Sequence, residues 1–138
     1  MYGPRQRPDM AFHRFIRALL EGRPIVMYGD GTQTRDFTFV DDIVEGLVRA
    51  PKAPAGSVMN IGGGNRVSLA EAIATLETVT GLEAIIDRRP AEAGDVKDTL
   101  ADVGRLAAAV GYRPTTALCD GLGCEYAWIA GAAPGKCR

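Results

Sequence analysis

A chain of 138 residues with a formal net charge of −1, 46% hydrophobic and 24% charged residues has the make-up of a globular domain long enough to bury a core. That charge balance gives no electrostatic footprint for nucleic acid or an anionic membrane. No apolar run approaches the ~20 residues of a membrane span, and the opening MYGPRQRPDMAF lacks the apolar stretch of a signal peptide. Cys119, Cys124 and Cys137 lie far in sequence from the single histidine, His13, without zinc-ligand spacing; reduced thiols are the expected state.

In chain order the pattern alternates helices and short strands, an α/β arrangement. Pro8 and Asp9 open a predicted helix with apolar residues Phe12, Phe15, Ile16, Leu19 and Leu20, ended by Gly22 and Pro24. IVMY (25–28) and TRDFTF (34–39) flank the turn Gly29-Asp30-Gly31 and read as a hairpin or as two strands joined by a tight loop. Asp41 and Asp42 begin a short helix carrying Ile43, Val44, Leu47 and Val48, where carboxylates suit the helix N-terminus. SVMNIG (57–62), after a loop containing Pro54 and Gly56, reads as a strand.

Ser68 with Glu71 forms a capping box for a helix closed by Gly81. EAIIDR (83–88) is a further strand. Asp102 caps a short helix ended by Gly111, and a last helix runs from about Leu118 to Ile129. Gly121 and Gly123 inside that helix each cost about 1 kcal/mol relative to alanine. The tail GAAPGKCR is expected to fray.

Three constellations could carry chemistry. Arg35, beside the glycine turn, offers a planar fork that matches two phosphate oxygens at once; the competing reading is a surface ion pair with Asp36 or Asp41. NIGGGNR (60–66) has three glycines between a predicted strand and a helix, but Val67 stands where a dinucleotide fingerprint wants its third glycine, and no Gly-Lys-Ser/Thr is present. A structural turn is the better reading. RRPAEAGDV (88–96) could clamp a polar ligand through Asp95, or be a solvated loop. His13, beside an apolar face, reads as core-edge packing. Nothing here supplies nucleophilic, acid–base or metal chemistry.

The segments YGPRQRPDMAFHRF, GRPIVMYGDGTQTRDFTFVDDIVEG, NIGGG and AGDVKDTLAD, in this order and spacing, resemble the C-terminal part of the NAD-dependent epimerase/dehydratase group. This group belongs to the extended short-chain dehydrogenase/reductase family and includes UDP-glucose and UDP-glucuronate 4-epimerases. The resemblance spans residues 2 to about 114 and leans toward the glucuronate type in RPDMAF. It implies a small α/β C-terminal substrate-binding domain lacking most of the Rossmann sheet, with residues 1–130 as the nucleotide-sugar-binding domain and 131–138 as a frayed tail.

It further implies that Arg35 contacts the diphosphate of a UDP-sugar, that Val26 and Tyr28 line the base site, and that Asp95 contacts the ribose or an adjacent arginine. Many members read Arg-Pro-Gly-Asp where this chain reads Glu92-Ala93-Gly94-Asp95, so a second phosphate-binding arginine is missing there unless Arg88 or Arg89 replaces it. The family oxidises the sugar with tightly held NAD, rotates the keto intermediate and reduces it again, using a Tyr-x-x-x-Lys pair. Here Tyr2, Tyr28, Tyr112 and Tyr126 are followed four positions on by Gln6, Thr32, Thr116 and Ala130. The resemblance thus implies NAD and a homodimer for the intact cytoplasmic enzyme, and no catalytic residue, NAD site or turnover for this chain alone. Alternatives from other classes are a non-catalytic nucleotide-sugar- or partner-binding module and a gene remnant.

Overall fold

The computed structural model describes residues 1–64, 66–91, 94 and 96–132. Its elements, in order, are α1 (Ala11–Leu20), β1 (Ile25–Tyr28), β2 (Thr34–Asp36), α2 (Val40–Arg49) with a 3₁₀ turn at Ala50–Lys52, β3 (Arg66–Ser68), α3 (Leu69–Thr80), β4 (Ile86–Arg89), α4 (Gly104–Val110) and α5 (Leu118–Ile129). Helices and strands alternate as expected, and the strands form two small sheets. β1 pairs in parallel with β4, Ile25 opposite Ile86 and Tyr28 opposite Arg89. β2 pairs antiparallel with β3, Arg35 opposite Val67.

The glycine turn therefore does not close a hairpin: the strands on either side of it belong to different sheets. Gly29 and Gly31 both have positive φ, at 75° and 83°, conformations that glycine adopts without steric cost. A Cβ at Gly31 would also lie 2.9 Å from Met27 Sδ. Asp30 Oδ1 accepts from Thr32 N (2.9 Å) and Thr32 Oγ1 (2.6 Å), and Gln33 Nε2 donates to the Tyr28 carbonyl at 2.8 Å. The turn thus redirects the chain sharply from one sheet into the other.

One core joins these pieces. Phe12, Ile16, Ile25, Leu76 and Leu122 are fully or almost fully buried, with Tyr2 and Phe39 beside them. Apolar periodicity drives this: α1 buries Phe12, Phe15, Ile16 and Leu19, and α3 buries Ala72, Ile73 and Leu76. α3 carries the expected capping box and ends at Gly81, with φ 68°. The N-terminal segment runs alongside the exit from β2, where Tyr2 N donates to Thr38 O (2.9 Å) and Val40 N to Tyr2 O (2.8 Å).

Several expectations need correction. Residues 57–62 form no strand; no neighbouring strand pairs with them, and Val58 is 77% exposed. The cap of α1 is Met10 rather than Asp9, because Asp9 is turned to Arg7 at 2.9 Å. On α2, Val44, Leu47 and Val48 are exposed. The buried side of that helix is instead Asp42 and Gly46, since a side chain at Gly46 would meet Ile61. Cys119 is a free, exposed thiol. The expected fraying tail, from 133 onward, lies outside the described residues.

Candidate functional site

β1 presents alternate residues to opposite sides. Ile25 and Met27 enter the core while Val26 and Tyr28 remain half-buried on the other face. The two do not share one hollow. Val26 lines a depression of about 480 Å³ with Pro8, His13 and Arg17. Tyr28 lines one of about 400 Å³ with Asp30, Thr32, Gln33 and Lys97. His13 is buried, with Trp128 edge-on at 6.0 Å, in keeping with core-edge packing.

Arg35 sits in the middle of β2, whose three residues are held on both sides. β3 lies along one edge. The chain at 97–99 lies along the other, with Thr34 N donating to Lys97 O (2.9 Å), Thr99 N to Thr34 O (3.2 Å) and Thr34 Oγ1 to Asp98 Oδ1 (2.6 Å). The Arg35 guanidinium donates through Nη1 to the carbonyls of Thr34 (2.9 Å) and Lys97 (3.2 Å). It borders a small hollow of about 180 Å³ with Met1, Gln6 and Met10. Lys97 thus belongs to both halves of the site: it lines the hollow beside Tyr28, and its carbonyl holds Arg35.

Asp36, one of the two ion-pair partners the sequence offered Arg35, turns its carboxylate elsewhere. Oδ2 accepts from Ala101 N at 2.9 Å and Gly64 N at 3.4 Å. This explains the glycine run. A Cβ at Gly63 would lie 2.5 Å from Phe37 O and 2.8 Å from Asp36 Oδ1, and one at Gly62 would lie 2.8 Å from Asp36 Oδ2. Gly63 N already donates to Thr38 Oγ1 at 2.8 Å. Gly63 and Gly64 thus give their amides to Thr38 and Asp36, and the run packs closely against β2. The structural-turn reading of the sequence agrees with this.

The remaining site residues fall as follows. Arg89 is engaged with Asp87 through Nε (3.0 Å) and Nη2 (2.9 Å), and Arg88 is exposed on β4 opposite Met27. Asp95 lies outside the described residues. Sequence reasoning missed Lys97 and Asp36; the first sits two positions beyond Asp95, and the second stands directly after the arginine that was singled out. Hydrogen bonds from Thr32 hold the Asp30 carboxyl below its usual range. Among the described residues no group of three or more His, Cys, Asp or Glu side chains could hold a metal, and no helix is long and apolar enough to cross a membrane.

Three comparisons bear on this arrangement. The model of the NAD dependent epimerase/dehydratase family matches residues 1–62. Over 138 residues the chain is 38% identical to the uncharacterized UDP-glucose epimerase YtcB of Bacillus subtilis, covering 99% of this chain and 44% of that protein. It is 35% identical to a probable UDP-glucuronate 4-epimerase of Rhizobium meliloti, covering 93% and 43%. Among solved structures, the UDP-glucuronic acid 4-epimerase of Bacillus cereus, in complex with UDP-glucuronic acid and NAD, superposes with a TM-score of 0.88 at 44% identity. That superposition covers 94% of this chain and 42% of that one. The chain spans under half the length of these relatives.

Proposed function

We propose, from the premise that this chain belongs to the NAD-dependent epimerase/dehydratase family, that it is the nucleotide-sugar-binding portion of a 4-epimerase acting on a UDP-hexose or UDP-hexuronate. The observation that carries this reading is the setting of Arg35. A strand gripped on both edges presents a guanidinium already steadied by two backbone carbonyls, one of them that of Lys97, which also lines the hollow bordered by the Tyr28 ring.

The chemistry follows from the groups. Arg35 keeps its charge at any physiological pH and gives paired donors to a diphosphate. Tyr28 supplies a flat apolar face for the base, while Val26, two residues earlier on β1, borders the separate hollow beside His13. Lys97, which lines the hollow beside Tyr28, offers a cation in the absence of the expected second arginine. Asp95 would accept from ribose hydroxyls. NAD supplies the oxidation and reduction of the sugar in the intact enzyme. The chain has no Tyr-x-x-x-Lys sequence and its glycine run is filled by Asp36 and Phe37, so its own part is to bind and orient the nucleotide sugar.

Calorimetric titration of UDP into the chain tests this. Arg35→Ala should cost about 2–5 kcal/mol of binding if the contact is desolvated. Arg35→Lys should cost less, because it keeps the charge and loses the fork. The loss should be the same for UDP-glucose and UDP-glucuronate, which share the diphosphate. Equal UDP affinities for wild type and Arg35→Ala would reduce Arg35 to a structural residue.

A further inference from the structure

We propose that Asp36 is a positioning residue for the diphosphate contact, fixing the segment 97–101 so that the Lys97 carbonyl holds the Arg35 guanidinium in place. The inference rests on the reading of Arg35 as the diphosphate ligand. Asp36 borders the small hollow beside Arg35 as well as a larger one of about 640 Å³ with Asn60, Thr99 and Asp102, and its carboxylate acts through the backbone amides it accepts from.

The coupling can be followed bond by bond. Lys97 O receives two donors, Thr34 N at 2.9 Å and Arg35 Nη1 at 3.2 Å. A carbonyl has two lone pairs, so its position sets both the strand edge and the guanidinium. What holds that carbonyl is the attachment of 97–101 to β2. Thr34 makes the first half of it, and Asp36 the second: Asp36 N donates to Thr99 Oγ1 at 3.3 Å and Oδ2 accepts from Ala101 N at 2.9 Å. The same Oδ2 accepts from Gly64 N, which anchors the carboxylate to the glycine run from the opposite side.

The glycines make this possible, since a side chain at Gly62 or Gly63 would displace the carboxylate. Asp36 Oδ1 is buried without a hydrogen-bond partner, and an orphaned buried acceptor costs stability. A purely structural link between these segments could have been made by a neutral side chain without that cost. The carboxylate instead grips through one oxygen, and charge-assisted bonds to backbone amides are the stronger kind.

The experiment is titration of UDP and of uridine, followed by NMR, into the whole chain as wild type, Asp36→Ala, Asp36→Asn and Arg35→Ala. Asp36→Ala should weaken UDP at least tenfold and change uridine less than twofold, because only UDP uses Arg35. Asp36→Asn keeps an acceptor for Ala101 N and should recover part of the loss. Adding Asp36→Ala to Arg35→Ala should weaken UDP no further. If Asp36→Ala does not fold, Thr99→Val, which cuts the other bond from Asp36 to the segment, should show an UDP-selective loss of at least threefold. Unchanged UDP affinity in Asp36→Ala, or equal losses for UDP and uridine, overturns the inference while leaving Arg35 as the ligand. Absence of UDP binding by the wild-type chain overturns the nucleotide-site reading and this inference together.

Discussion

Glu125 gives the chain a pH-dependent stability whose sign is unusual for a carboxylate. It lies on α5 with no exposed surface, with Oε2 accepting from Gly3 N at 2.9 Å and Oε1 buried without a partner. Burial raises its pKa from 4.5 to about 7, offset in part by the Gly3 amide and the positive N-terminus. Unfolded, the group titrates near its ordinary value. Between those two values the native state therefore binds more protons than the unfolded state, and stability falls as pH rises. The contribution is fully present below about 4.5 and gone above about 7. At 1.4 kcal/mol per pKa unit, the interval is worth about 3 kcal/mol. Asp30 and Glu71, held below their usual range by Thr32 and Ser68, act in the opposite sense, but equally in wild type and a Glu125→Gln variant. The assay is urea unfolding of both proteins at several pH values from 5 to 8. Wild type should lose about 2–3 kcal/mol relative to Glu125→Gln across that range. A difference that stays constant with pH would refute the reasoning.

The remaining predictions concern fit and satisfied polar groups. A Cβ at Gly121 would strike the rings of Tyr2 and Phe39, whereas one at Gly123 would meet only Val79 Cγ1 at 3.9 Å. Gly121→Ala should therefore cost about 1–3 kcal/mol by overpacking, and Gly123→Ala should stabilise by up to about 1 kcal/mol through helix propensity, both read by chemical denaturation. Gly63→Ala should lower the melting temperature and weaken UDP binding, because its Cβ would meet the Phe37 carbonyl and the Asp36 carboxylate; unchanged melting would show that the loop yields easily. Asp42 is buried and accepts from Tyr112 Oη (3.0 Å), Thr115 N (3.3 Å) and Thr116 N (3.2 Å). Asp42→Ala should cost about 2–3 kcal/mol by orphaning these donors, with less loss in Asp42→Asn, both measured by thermal unfolding.

What could be read from the sequence was local. The Ser68–Glu71 capping box lies within three residues, and the bonds that make it were fully specified by the sequence. The same holds for the glycine that ends α3 and for the face of α1, except that Leu20, expected on that face, is exposed. Pairing was not legible, because β1 meets β4 some 60 positions on and no local signal distinguishes that from a hairpin with β2. Residues 57–62 illustrate the limit from the other side: β-branched and apolar residues suit a strand, yet a strand exists only where a partner lies alongside. Asp42 looked like a helix-terminus carboxylate, and its real role depends on Tyr112 and the 115–116 backbone.

The candidate site divides along the same line. Val26 and Tyr28 share a face because strand alternation is local, and Arg35 stood out because an arginine after a glycine turn is conspicuous. Asp36 did not, since its carboxylate meets Ala101, 65 residues away, and a neighbouring arginine invites an ion-pair reading. The clue lay in the glycine run. Three glycines that fail the dinucleotide spacing still have to make room for something, and a nearby strand with a short acidic side chain is what they make room for here. A glycine run without its phosphate-loop partners is therefore better read as the imprint of a close neighbour. The side chain that fills that imprint is the one to test for a role in the adjoining site.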